Sequence, residues 1–142
     1  MPLENKSATL TRRVTETDLA SSHADVADEH YPKVLSSPAM LSLMERACAE
    51  LLKDELGDEQ LSVGVKTKFD HRAPTALGQM YSATATFIKQ EGGLFLFDVS
   101  ASDASGAIGG GTHARAIVHR EAIEDRAAQR SAFLDRNRER EQ

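Results

Sequence analysis

The chain has 142 residues and a formal net charge of -5, an acidic balance that offers nucleic acid or an anionic membrane no general basic surface. Its size is that of one domain able to bury a core without disulfides, and its single cysteine, Cys48, has no partner for one. There is no CxxC pair or metal-ligand cluster, no apolar run approaches the roughly 20 residues of a membrane span, and MPLENKSATL lacks a signal peptide's apolar core; the expected location is cytoplasmic.

Residues 1 to 6 read as a loose end, and Ala8 to Val14, with its threonines, as a first strand. From 15 to 35 the chain is polar, which predicts a long loop with one short helical turn, and connections of that length are often functional. The next stretch is strongly apolar. Ser36 or Ser37 can cap a helix, Pro38 suits its first turn, and Gly57 follows Leu56 as a stop. Met40, Leu43, Met44, Ala47, Cys48, Leu51 and Leu52 recur at three- and four-residue steps, so one broad face of this helix must be covered. Glu45 stands at the margin of that face, where a buried carboxylate without a partner is costly.

Leu61 to His71 alternates with period two, which places Val63, Val65, Phe69 and His71 toward the helix and Lys66, Lys68 and Asp70 away from it. Gln79 to Lys89 reads as a strand through Tyr81, Ala83, Ala85 and Phe87, and Glu91-Gly92-Gly93 marks a hairpin into Leu94 to Ala101. The run Leu94-Phe95-Leu96-Phe97 calls for cover on both faces, which together with exposed strand edges predicts a homodimer. In the last strand, Ile108 to His119, no lysine follows Gly109-Gly110-Gly111, so the glycines fit a bulge or close backbone approach rather than a phosphate loop. Strict alternation from Ile108 puts Arg115 on the face away from the helix unless a bulge re-aims it. Beyond Arg120 the mixed charges fit a solvated helix, peripheral from about residue 123. The expected fold is α+β, one 1–142 domain in which a long central helix is wrapped by a curved antiparallel sheet of about five strands.

Ser37, Glu45 and His71 have a way to converge. Eight residues of helix separate the first two by about 12 Å, and a histidine between them could touch both. A hydroxyl, an imidazole and a carboxylate in that order make an activated nucleophile. Set against this are the helix-cap role open to Ser37 and the backbone hydrogen bond open to a strand-end His71.

Leu43-Met44-Glu45-Arg46-Ala47-Cys48, the spacing of Gly64, His71 and Gly78, and Gly111-Thr112-His113-Ala114-Arg115-Ala116 carry a further signal. With them, residues from about 8 to 122 resemble the fluoroacetyl-CoA thioesterase family, a branch of the hotdog-fold acyl-CoA thioesterases. The resemblance implies the hotdog fold, a dimer with sites near the subunit interface, and hydrolysis of a small acyl-CoA, with coenzyme A part of the substrate and no separate cofactor. It implies catalytic roles for Ser37, Glu45 and His71, and substrate-binding roles for Gly64, Arg115 and Tyr31. Asp28 and Tyr31 stand where the family has an apolar lid, so a more polar lid and a weaker preference for a fluorinated acyl group are expected. Lys66, Lys68 and Arg72 are candidates for the CoA phosphates. An enoyl-CoA hydratase of the same fold, or an acyl-CoA-binding module without turnover, are the alternatives to a thioesterase.

Overall fold

A computed structural model describes residues 3–141. The helix that organises them, α1 (Ser37–Leu52), begins where two signals agree: Ser36 Oγ accepts a hydrogen bond from Ala39 N at 3.1 Å, and Pro38 stands in the first turn. It ends at Leu52 and tightens into a 3-10 turn, Lys53–Glu55, before Gly57 is reached. Gly57 N instead donates to Gln60 Oε1 at 2.6 Å, so this glycine opens the loop into the next strand rather than closing the helix.

The strands are β1 (Ser7–Arg13), β2 (Gln60–His71), β3 (Met80–Glu91), β4 (Leu94–Asp103) and β5 (Gly106–His119). They form one antiparallel sheet in the order β1-β3-β4-β5-β2, so β1 and β2 are its edges. Period-two patterning makes β3 two-faced. Tyr81, Ala83, Ala85 and Phe87 turn inward, while Ser82, Thr84 and Thr86 pair their hydroxyls with Thr11, Thr9 and Ser7 on the outer face at 2.7 to 2.9 Å. The small Ala83, Ala85 and Ala101 let Met40, Leu43, Met44, Ala47 and Cys48 of α1 come close to the sheet, and Phe97 meets Phe87 edge-on at 5.8 Å. The β3–β4 turn needs left-handed backbone at Gly92 (φ 58°) and Gly93 (φ 82°), which glycine adopts without strain.

Several expectations change in the folded chain. Leu3, in the stretch expected to be loose, is buried in the core; Met1 and Pro2 lie outside the described residues. The 14–36 connection holds two 3-10 turns, Glu16–Asp18 and Ala20–His23. It is pinned from within: buried Asp18 takes Arg12 at 3.1 Å and the Thr15 amide at 2.8 Å, while its own carbonyl accepts from Ser36 N. Burial raises the Asp18 pKa, but these donors outweigh it and hold the carboxyl below its ordinary value.

Two bulges reset which side chains face α1. On β2 the register slips between Gly64 and Lys66, so Val65 is not on the inner face as expected but 54% exposed, and Gly64, Thr67, Phe69 and His71 turn inward. On β5 the extra residue is Ile108, between Ala107 and Gly109, and after it Gly109, His113 and Arg115 face the helix side. Strict alternation thus placed Arg115 on the wrong face, and the bulge just before the glycines corrects it. Gly109 and Gly111 then allow β2 to pass close, since a Cβ on either would collide with the backbone of Asp70 or Lys68. From His119 the chain continues into α2 (Arg120–Glu141), which buries none of its residues. No described helix is long and apolar enough to cross a membrane.

Candidate active site

The packing of α1 leaves an open seam. The helix lies mainly on β3 and β1 and only lightly on the edge strand β2, and polar side chains gather along that lightly packed side. Because Ser36 performs the capping, the Ser37 hydroxyl is released from that task and lies 2.8 Å from His71 Nδ1 at the end of β2. With the hydroxyl donating, the ring proton sits on Nε2, which is buried and has no hydrogen-bond partner among the described residues. A cleft of about 280 Å³ opens beside the pair, lined among others by Pro32, Val34, Ser37, His71 and Arg72. An unpartnered buried N–H at such a cleft is a place for a substrate oxygen or a partner group.

Two turns along α1, Glu45 makes a second centre. Its Oε1 lies 3.7 Å from Arg115 Nη1 and 3.7 Å from His113 Nε2. Gly64 is what admits it: a Cβ there would collide with Glu45 Oε1 and would stand 3.2 Å from His113 Cε1 and 3.6 Å from Arg115 Nη1. Arg115 is fixed from behind, with Nε donating to Ser62 Oγ at 3.0 Å and Nη2 to the Ser62 carbonyl at 2.9 Å. Burial lowers its pKa and the Glu45 charge raises it again, so the guanidinium stays cationic beside the carboxylate. Burial, and then the Arg115 charge, push His113 down to about 4, so at neutral pH its contact with Glu45 is no ion pair and Arg115 is the cation that faces the carboxylate. Burial pushes the Cys48 thiol up to about 12, which makes it a packing group rather than a nucleophile.

The sequence-derived candidates therefore fall into two clusters within one protomer. Ser37 and His71 meet. Glu45, Gly64 and Arg115 meet, but no hydrogen bond or ion pair joins Glu45 to His71 among the described residues. Tyr31 is 47% exposed and donates its hydroxyl to Glu29 Oε2 at 2.9 Å. Lys66 and Lys68 are exposed on the far face of β2, and Arg72 lies 3.5 Å from Asp70. Sequence reasoning passed over Ser62, Thr67 and His113. The two-residue step from His113 to Arg115 carried the signal for the last of these, since both must share a face once the strand's phase is known.

The model of the fluoroacetyl-CoA-specific thioesterase family matches residues 14–121, which hold every residue of both clusters. A fluoroacetyl-CoA thioesterase of Streptantibioticus cattleyicolor is 33% identical over 101 residues, covering 71% of this chain and 73% of that one. A solved structure of fluoroacetyl-CoA thioesterase superposes with a TM-score of 0.84 at 28% identity, over 89% of this chain and 95% of that one. A threonine-to-serine variant of it in complex with acetyl-CoA gives 0.84 at 29% identity, over 89% and 97%. A thioesterase superfamily member of Thermus thermophilus shares the fold with a TM-score of 0.81 at 19% identity, over 93% and 95%. The fold is the hotdog fold, and the chain belongs to the fluoroacetyl-CoA-specific thioesterase family.

Proposed function

We propose that this chain hydrolyses the thioester of a small acyl-CoA as a cytoplasmic homodimer, with Ser37, Glu45 and His71 as its catalytic groups and Gly64, Arg115 and Tyr31 at the substrate. The observation that carries the reading is the Ser37–His71 hydrogen bond at an open cleft, in a chain of this family. In the reaction a hydroxyl, of Ser37 or of a water, passes its proton to His71 as it adds to the thioester carbonyl, the C–S bond breaks and His71 returns that proton to the leaving thiolate; where Ser37, or Glu45 as a carboxylate, has attacked, one water then cleaves the acyl intermediate to free acid. Coenzyme A enters as part of the substrate, and the chemistry calls on no other cofactor.

The dimer supplies what one protomer lacks. β2 is a 12-residue edge strand with Val65 exposed, and a long bare edge is a template for pairing. Antiparallel pairing with a second copy reverses the strand, and in a register centred between Gly64 and His71 it brings Gly64 of one protomer to His71 of the partner subunit. Glu45 beside Gly64 then completes the pair whose Nε2 is unpartnered. The name of the curated relative and the acetyl-CoA held by a solved one point to acetyl-sized groups.

Two measurements test this. Across a panel of acyl-CoA esters, acetyl-CoA should be turned over with a kcat/KM within roughly a hundredfold of fluoroacetyl-CoA, because a pocket separates close analogues by only about 1 to 3 kcal/mol. No thiol release from any ester overturns the reading. Glu45→Gln and His71→Ala proteins, each inactive alone, should regain about a quarter of wild-type activity when their subunits are mixed, since half the dimers then hold one intact composite site. Absence of recovery in demonstrated mixed dimers places the whole site within one protomer.

A further inference from the structure

Arg115 Nη1 lies 3.1 Å from His113 Nε2, and a guanidinium nitrogen can only donate. Nε2 must therefore offer its lone pair, and the ring proton must sit on Nδ1, which lies 2.7 Å from Thr67 Oγ1. This is a fixed tautomer in a side chain only 1% exposed. With Nε and Nη2 committed to Ser62 and one Nη1 proton to His113, the other Nη1 proton is left to face Glu45 at 3.7 Å. All three groups border the space that the absent side chain of Gly64 leaves open.

We propose that His113 is a positioning residue of the thioesterase site, which as a neutral Nδ1–H imidazole accepts a hydrogen bond from Arg115 and aims its free Nη1–H at the Glu45 carboxylate and the space beside Gly64. This deepens the reading above and rests on it. The imidazole works as an acceptor and never as a base. A protonated ring would lose its lone pair and set a second positive charge against Arg115, releasing the guanidinium from its aim. The charged and titratable groups around it are Arg115 on its own strand and Glu45 on α1, with Cys48 of α1 acting on Arg115; from β2 it meets Thr67 and the Lys66 backbone.

Substitution series and a spectroscopic readout test this together. His113→Gln can place its side-chain oxygen near the Nε2 position and still accept from Arg115, so it should keep kcat within about fivefold of wild type. His113→Leu keeps bulk but removes the acceptor, and should lower kcat at least tenfold with the fold intact by circular dichroism. In an Arg115→Ala background, His113→Leu should cost less than about twofold more, because its effect runs through Arg115. Equal losses in both backgrounds, or a Gln variant as damaged as Leu, would leave His113 a packing residue and overturn the proposal. Long-range proton–nitrogen NMR on wild-type protein reads the tautomer without any substrate: His113 should stay neutral and Nδ1-protonated at pH 6. An Nε2–H tautomer, or titration near the ordinary 6.5, also overturns it. If wild type releases no thiol, the thioesterase reading falls, while the NMR result still decides how His113 holds Arg115.

Discussion

The two flanks of α1 are built on opposite rules. Toward β3 and β4 the helix meets Tyr81, Ala83, Ala85 and Phe97, all fully or nearly fully buried, and the contact is dry. Toward β2 it presents Ser37 and Glu45 to two imidazoles and a guanidinium, Gly64 gives up its side chain, and one ring nitrogen has no partner among the described residues. Burial of apolar area stabilises the first flank by about 25 cal/mol per Å², while the second contributes little and carries desolvated polar groups. Stability and chemistry are thus placed on two sides of one helix, and changes on each side should have separable effects.

Phe97→Ala is the largest expected break on the dry side. It removes a fully buried ring and its edge-on contact with Phe87, so it should cost about 3 to 5 kcal/mol of unfolding free energy, with kcat per folded molecule near wild type. Glu45→Gln on the other side should do the reverse: kcat falls at least a hundredfold, about 2.7 kcal/mol in the barrier, while the loss of the charge facing Arg115 lowers the unfolding free energy by far less than Phe97→Ala does. Denaturant titration and thiol-release kinetics on both proteins decide it. A Glu45→Gln protein that loses as much stability as Phe97→Ala, or retains activity, would erase the distinction between the flanks.

A smaller effect makes the wet flank visible in stability alone. Unfolded, His113 titrates at its ordinary 6.5, whereas in the folded chain it is pushed down to about 4 by burial and by Arg115. Between those values the unfolded chain binds the extra proton. Stability is therefore fully present above pH 6.5 and is lost as pH falls toward 4, by about 2 kcal/mol between pH 7 and pH 5. His113→Gln has no such proton and should lack this part of the slope. Urea midpoints at the two pH values, compared between the proteins, measure it; identical slopes would show that His113 titrates alike folded and unfolded.

The dry flank was legible in the sequence because it rests on periodicity alone: the α1 stripe from Met40 to Leu52 and the β3 alternation from Tyr81 to Phe87 are both where their spacing puts them. The wet flank was legible as residues but not as geometry. A bulge shifts every side chain after it to the other face, and neither Val65 nor Ile108 announces one by its type. Arg115 was therefore misplaced by alternation and His113 passed over, although the family resemblance named Arg115. Which groups meet across the seam depends on how far α1 stands from β2, and no local pattern encodes that distance.

The finest separation lies between two neighbouring serines. The sequence allowed either Ser36 or Ser37 as the helix cap, and the structure assigns the cap to Ser36, whose Oγ takes the Ala39 amide while Ser37 Oγ takes the His71 imidazole. Ser36 is 2% exposed and its loss would leave a first-turn amide without its acceptor. Ser36→Ala should thus destabilise the chain by about 1 kcal/mol and leave kcat unchanged. Ser37→Ala should leave the denaturation midpoint within about 0.5 kcal/mol of wild type, since it removes a hydroxyl from an open seam. Its kcat then reports the mechanism: a loss as deep as that of Glu45→Gln makes Ser37 the attacking group, and a milder one leaves attack to Glu45 or to a water it activates. If Ser36→Ala lowers kcat as much as it lowers stability, the cap and the site are coupled through the first turn of α1, and the two flanks are not independent.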